Sequence, residues 1–377
     1  MKGIAITHCG TEDIACLEVK ELIGAKAEKR NSAVVFPVKK AEDLCKLCYC
    51  GQSFKRVLLL LKESKATTKL PDAEKELKGI KFKEFFGRGT TFKVECIRKG
   101  EHGFQSADVQ EEFGAAIVKS AKAKVNLENP DLIFFVYIQD RDLYFGIDFC
   151  GFDLSKREYK IFNSAFSLKG TIAYSLLRMS GYKKTDVLLD PFCDTGAVVI
   201  EAAFFASGFP VNFYAKEKFA FLKLKMLEKL DFGKFFEKID SKISEEKLEI
   251  YAYDSQLRKM KQAQKNAKIA GINKMVQFSR VDVEWLDIKF KKEQAGLIVT
   301  AMPQWSQRQQ LAERDKEYNE FFYQAEYILK KDGRICLICN KPEVVMKHAE
   351  KYKFRLEKQQ KVMQGGMELA VLTLRKG

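Results

Sequence analysis

From Asp186 onward, short apolar runs alternate with helix-length segments, and this alternation limits the fold more than any other feature of the chain. The runs "DVLLD", "LEIYAYD", "VQFSRVD", "AGLIVTA" and "RICLICN" read as strands. Between them, "VVIEAAFFASG", "LRKMKQAQKNAKIAG" and "DKEYNEFFYQAEYILKKDG" read as helices. Strands that alternate with helices build a parallel α/β sheet, because each parallel pair needs a crossover. "FRLEKQQKVMQGGMELAVLTLRK" closes the sheet as a pair of strands. The lysine- and phenylalanine-rich segment from Lys216 to Lys247 reads as a helical insertion over this core.

In such a sheet the ligand lies beyond the carboxyl ends of the strands. The first buried strand ends at Asp190, in the loop "PFCDTGA". Gly196 lets the backbone approach a ligand, and the helix after it turns its first amides toward that ligand. The loop has neither the GxGxxG nor the GxxxxGK spacing, so the glycine alone is weak evidence. The next strands end in Asp254 and Asp282. A carboxylate at the second tip suits the two hydroxyls of a ribose, and one at the third can accept from an adenine amine. Either aspartate alone reads as a helix cap or a solvated loop residue. In order, at successive strand ends, they point to a nucleoside ligand.

The N-terminal half alternates shorter elements. "KGIAIT", "AVVFPV" and "RVLLLLK" are strands around the helices "EDIACLEVKELIG" and "AEDLCKLCY". A polar stretch, Glu63 to Lys78, follows and could join two lobes. "TFKVECIRKG" is a strand with basic residues at its end, "SADVQEEFGAAIVKSAK" a helix, and "LIFFVYIQDRDLYFGIDFCG" two strands around a turn. The formal net charge of +15 and pI of about 9.2 favour a polyanionic partner, nucleic acid most simply, against lysines kept for solubility. No run of eighteen apolar residues and no apolar leader core is present, so a cytoplasmic protein without a membrane role is expected. The ten cysteines are then reduced thiols. The pairs Cys45/Cys48 and Cys336/Cys339 read as buried small hydrophobes, and no metal site is expected.

"LLDPFCDTGAVVIEAA" resembles the cofactor motif D-P-x-C-G-[ST]-G-[TG] of the THUMP-domain RNA methyltransferases. The stretch from Thr91 to Tyr159 looks like a THUMP module, "THCGTEDIACLEVKELIGA" like the small domain that precedes it, and "SLKGTIAYSLL" like the helix behind the cofactor. The resemblance covers almost the whole chain. It implies a Rossmann-like class I methyltransferase sheet preceded by an α+β THUMP-containing region that grips RNA. The implied boundaries are 1–65 for an N-terminal ferredoxin-like lobe, 66–160 for the THUMP domain and 161–377 for the methyltransferase domain. The implied cofactor is S-adenosylmethionine, held by Asp190, Phe192, Asp194, Gly196, Asp254 and Asp282. The implied reaction is methylation of the exocyclic amine of guanine in tRNA, by a monomer.

The family's fourth motif, [ND]-P-P-[YF]-G, follows the strand matched by "LIVT". Its Asn or Asp oxygen and a backbone carbonyl accept the amine hydrogens and aim the lone pair at the sulfonium methyl, while the aromatic stacks on the extruded base. Here the loop reads Ala301-Met302-Pro303-Gln304-Trp305. Ala301 offers no acceptor, Gln304 stands at the aromatic position, and Trp305 follows it. Asp194 replaces a motif glycine, a change that left-handed backbone tolerates but that brings a carboxylate near the methionine carboxylate of the cofactor. Three functions therefore stand: a tRNA methyltransferase, an inactive relative kept as an RNA-binding protein or partner subunit, or a methyltransferase whose altered loop accepts another target, such as a different base or ribosomal RNA. Candidate phosphate contacts are Arg98, Lys99, His102, Lys122, Lys124, Lys156 and Arg157, each of which alone reads as an ordinary surface charge.

Overall fold

The computed structural model describes residues 1–304 and 311–377. The chain packs as two compact units, one of residues 1–7, 15–154 and 212–239, the other of residues 8–14, 155–211 and 240–377.

The first unit is built on one eight-stranded sheet in the order β2-β3-β1-β4-β8-β7-β5-β6. Its strands are β1 (Lys2–Ile6), β2 (Glu28–Arg30), β3 (Ala33–Pro37), β4 (Arg56–Lys65), β5 (Thr91–Lys99), β6 (Lys124–Val125), β7 (Leu132–Gln139) and β8 (Asp142–Asp148). β4 pairs antiparallel with both β1 and β8, so a single sheet runs through the unit. β5 and β7 are parallel, and the helix Ser106–Ala121 supplies the connection between them that a parallel pair requires. β7 is buried along its whole length. Phe134, Val136 and Ile138 enter one core cluster and Phe135 and Tyr137 another, as the two-residue period of a strand demands.

The segment expected over the Rossmann-like core belongs instead to this first unit. Between Asn212 and Ile239 it makes short 3-10 turns and the helix Phe232–Asp240. Phe219, Phe221, Leu224, Leu227 and Phe236 join the first unit's core, with Phe236 edge-on to Tyr49 at 4.8 Å. The Asn212 amide donates to the Cys48 carbonyl at 2.8 Å. Aromatic side chains closely spaced along a tight backbone give this segment one apolar face. The helix Glu42–Cys50 offers a matching one. Cys45 and Cys48 lie buried in that helix, and burial pushes both thiols up, as expected of small apolar residues.

The second unit carries a seven-stranded sheet in the order β11-β10-β9-β12-β13-β15-β14. Its strands are β9 (Leu188–Asp190), β10 (Ile250–Asp254), β11 (Gln277–Arg280), β12 (Ala295–Ala301), β13 (Leu329–Cys339), β14 (Phe354–Gln364) and β15 (Met367–Lys376). β9 to β13 run parallel, while β15 lies antiparallel to β13 and β14. Helices cover both faces. Leu188, Leu297, Val299, Cys336 and Ile338 meet the helices Gly170–Met179, Ala197–Ser207 and Leu257–Ile269 on one side. Leu189, Ile298, Ile335, Leu337 and Cys339 meet Leu311–Ile328 and Pro342–Lys351 on the other. Cys336 and Cys339 thus face opposite sides of β13, as their spacing predicts. The strand order reverses between β9 and β12, and the crevice at that reversal is where such sheets hold ligands. Among the described residues, no helix is long and apolar enough to cross a membrane.

Candidate functional site

A cleft of about 320 Å³ opens at the carboxyl ends of β9, β10 and β12. Its lining includes Ser167, Asp190, Phe192, Asp194, Asp254 and Lys259, and from the opposite side Ala301 to Gln304, Arg314 and Glu317. Register explains the convergence. Ala252 lies beside Asp190, and Leu297 beside Leu188, so β10 and β12 each run two residues past Asp190 and flank the loop that follows it.

The loop after β9 is shaped by backbone of unusual sign. Asp194 has φ +48° and Gly196 φ +89°, and the helix begins at Ala197. A Cβ on Gly196 would lie 3.2 Å from the Ala263 Cβ, so this glycine serves both the turn and the close approach of the next helix. Asp190 lies under the loop, 1% exposed. Its Oδ1 accepts the Thr300 hydroxyl at 2.6 Å and the Phe192 amide at 3.3 Å. Burial pushes this carboxyl up to about 7, against the pull of those two donors. An acid whose folded pKa exceeds its unfolded value weakens the fold where it is ionised. That cost is absent below about pH 4 and is complete above the folded value. The stability gained by Asp190→Asn over the natural chain is therefore expected to grow from about pH 4 to pH 8, as read from urea midpoints at each pH.

Asp194 adopts the left-handed turn, and its charge has neighbours the sequence did not reveal. Its Oδ2 accepts the Ser164 hydroxyl at 2.7 Å, and its amide donates to Asp254 Oδ2 at 3.2 Å. Lys259 Nζ stands 3.6 Å from Asp194 Oδ1 and 3.7 Å from Asp254 Oδ2. The lysine lies in the first turn of its helix and offsets the repulsion of two carboxylates that share one wall. Asp254 is held by its own turn, with the Gln256 amide donating to Oδ1 at 3.0 Å. The signal for Lys259 was its place five residues after a strand-tip aspartate, at the cleft end of the helix.

The loop after β12 lines the cleft from Ala301 to Gln304, and Trp305 lies outside the described residues. The Met302 amide donates to Ile338 O at 3.0 Å, and the Tyr318 hydroxyl to Pro303 O at 2.6 Å. Gln304 Oε1 is buried without a hydrogen-bond partner among the described residues. A buried amide oxygen left unmatched costs about 1–3 kcal/mol, which a donor on a ligand would recover.

Other expected site residues are placed differently. Asp282 is exposed and does not line the cleft, and its Oδ1 accepts the Glu284 amide at 3.3 Å to cap the turn Val283–Trp285. Arg157 is buried, not a surface phosphate contact. Its Nε and Nη2 donate to Glu201 Oε1 and Oε2 at 2.8 and 3.1 Å, beside the Tyr159 hydroxyl on Oε1. A glutamate sealed inside a helix face needs a fixed counter-charge, and the arginine fork matches it. Lys99, Lys122, Lys124 and Lys156 are exposed. Arg98 donates to Gly100 O at 3.1 Å and contacts His102 Nδ1 at 3.2 Å, while His102 Nε2 meets Asp140 O at 2.7 Å. A carbonyl only accepts, so His102 Nε2 carries the proton and Nδ1 receives the arginine's; this pair braces a loop.

Comparison with known proteins agrees with this geometry. Residues 157–370 match the family model described as RMKL-like, methyltransferase domain, and residues 67–148 match the THUMP domain. A tRNA (guanine(6)-N2)-methyltransferase of Methanocaldococcus jannaschii is 29% identical, with 97% of each chain covered. One of the same name from Archaeoglobus fulgidus is 27% identical over 95% of this chain and 88% of its own. Among solved structures, SMU.472 complexed with SAH superposes with a TM-score of 0.84 at 19% identity, covering 100% of this chain and 98% of the other. TrmN from Thermus thermophilus gives 0.72 at 22% identity, covering 100% and 99%. The two structures share the fold. With the family model spanning more than half of its residues and the cleft at the expected strand ends, the chain belongs to the RMKL-like methyltransferase domain family and carries a THUMP domain ahead of it.

Proposed function

We propose that this protein transfers the methyl group of S-adenosylmethionine to the 2-amino group of guanine 6 in tRNA. The observation that carries the reading is the likeness to the Methanocaldococcus jannaschii enzyme of that name, which runs through 97% of both chains. The cleft supports it. Asp254 at the tip of β10 suits the ribose hydroxyls, and the start of the helix Ala197–Ser207 turns its amides into the cleft beside Phe192 and Asp194. Among the described residues, Asp194 Oδ1 and Gln304 Oε1 are buried acceptors without a hydrogen-bond donor, which fits a ligand and a base that both carry N–H groups.

The cofactor supplies an electrophilic methyl carbon: the amine lone pair forms the C–N bond as the C–S bond breaks, S-adenosylhomocysteine leaves and a proton passes to water. The chain's own contribution is orientation. Gln304 Oε1 and the Met302 carbonyl accept the two amine hydrogens, which turns the lone pair toward the donor without the side chain that Ala301 lacks. Trp305 takes the stacking role on the extruded base. Lys99, Lys122 and Lys124 on the THUMP module hold phosphates, with affinity that falls as salt rises.

Incubation with radiolabelled S-adenosylmethionine and unmodified tRNA is expected to place label in N2-methylguanosine at position 6. Gln304→Ala is expected to slow turnover by about 10- to 100-fold while tRNA remains bound. A protein that binds tRNA and methylates none of the unmodified pool would reject the reading.

A further inference from the structure

Two aromatic rings line the cleft among the described residues, those of Phe166 and Phe192. Phe192 is engaged, its ring 5.5 Å from that of Phe321 on the helix Leu311–Ile328. Phe166 is 46% exposed and has no ring partner among the described residues. Of the large hydrophobic side chains left exposed among those residues, it alone lines this cleft.

The backbone around Phe166 is tied down on every side. Residues 164–168 form one wall of the cleft, between Lys160 and Lys169. Asn266, buried on the helix Leu257–Ile269, accepts the Phe162 amide at 3.1 Å and donates to the carbonyls of Phe162 and Thr195, both at 3.0 Å. The Ser164 hydroxyl meets Asp194 Oδ2 at 2.7 Å, and the Ser167 hydroxyl lies 2.6 Å from that of Thr195. Gln364, the last residue of β14, accepts the Lys169 amide at 2.8 Å and donates to Ser167 O at 3.4 Å. Lys160 Nζ closes the segment by donating to Leu168 O. Polar ties thus fix the chain before and after Phe166 and leave its ring in the open. A ring presented from fixed backbone gives up little freedom when a second ring stacks on it, and the stack takes apolar surface out of water.

The course of the segment says which ring that is. It starts at Asn266, on the helix that follows β10, and ends at Gln364 on β14, so it crosses the sheet from the β10 side to the β14 edge. Asp254, at the tip of β10, marks the nucleoside end of the methyl donor. Phe166 is next to Ser167, near the other end. The partner there is the second planar group that the reaction brings into the cleft, the target base.

We propose that Phe166 stacks on the target guanine once the base has left its pair. The assignment rests on the methyl-transfer reading of the cleft. It gives the wall segment an aromatic surface that Gln304 does not offer, beside the one assigned to Trp305.

The test reads a set of substitutions in two assays: single-turnover methylation of unmodified tRNA at saturating protein, and calorimetric binding of S-adenosylhomocysteine. Phe166→Ala is expected to slow single turnover by about 10- to 100-fold, the range of one lost stack between a base and an aromatic ring. Its affinity for S-adenosylhomocysteine is expected to stay that of the natural protein. Phe166→Tyr keeps the ring and is expected to keep the rate. Phe166→Leu keeps apolar bulk without a ring and is expected to recover only part of it. A loss of S-adenosylhomocysteine affinity in Phe166→Ala would set the ring against the donor's adenine and overturn the assignment. An unchanged rate in Phe166→Ala, or full recovery with Phe166→Leu, overturns it as well, while the methyl-transfer reading stands. A natural protein that transfers no methyl group to unmodified tRNA overturns that reading and the assignment with it.

Discussion

Asp254→Ala is expected to leave a folded protein that no longer methylates, because affinity for the methyl donor falls by roughly 100- to 10,000-fold. A ribose presents two adjacent hydroxyls, and a carboxylate with its oxygens pointed outward can accept both. Two charge-assisted hydrogen bonds at about 1.5–3 kcal/mol each set the size of the loss. Asp254 is prepared for this role. The amides of Asp194 and Gln256 hold its two oxygens in place, and only 6% of its side chain is exposed. Lys259 keeps its contact with Asp194 when Asp254 is removed, so the local charge balance is not inverted. Calorimetry with S-adenosylhomocysteine reads the loss directly, and tRNA affinity measured alongside is expected to stay unchanged. Undiminished binding of S-adenosylhomocysteine by the variant would exclude Asp254 from the cofactor site.

The largest expected effect on stability is at Arg157. Its side chain is 1% exposed and that of Glu201 is 0% exposed. Arg157→Ala takes the guanidinium fork away from a buried glutamate, and breaking such a pair costs about 3–5 kcal/mol. Arg157→Lys is expected to rescue only part of this, since an ammonium cannot reproduce the two-pronged contact. Gly170→Ala attacks the same pair from another side. A Cβ there would lie 2.4 Å from Glu201 Oε1 and 2.7 Å from Arg157 Cγ, so the glycine makes room for the ion pair. Urea denaturation followed by circular dichroism checks all three. A phosphate-binding role for Arg157 predicts the reverse pattern, normal stability with weakened tRNA binding.

Much of the site was readable before folding was considered. Asp190 and Asp254 follow apolar runs directly, and a strand whose faces are both covered delivers its last residue to the sheet's edge. Asp194 in left-handed backbone and Gly196 ahead of a helix are local properties of the loop. The lost acceptor at Ala301 was also visible, because a one-atom side chain offers nothing wherever it is placed. Lys259 and Glu317 were not visible. Each reaches the cleft from a helix, where several charged residues look alike until the packing selects the one that faces inward.

The sequence by itself determined the alternation of strands and helices, the two-faced burial of β9, β12 and β13, and that Asp190, Asp254 and Ala301 end β9, β10 and β12, whereas β11 stops at Arg280, two residues before Asp282. These are consequences of side-chain period and of local backbone preference, which act over a few residues. Only the tertiary structure decided that Arg157 would be spent on Glu201, and that residues 212–239 would fill the first unit's core. Arg157 and Glu201 are 44 positions apart. Asp194 and Asp254 are 60 apart. Their meeting depends on strand order and register, and many orders of the strands satisfy the same local pattern until the whole core is packed.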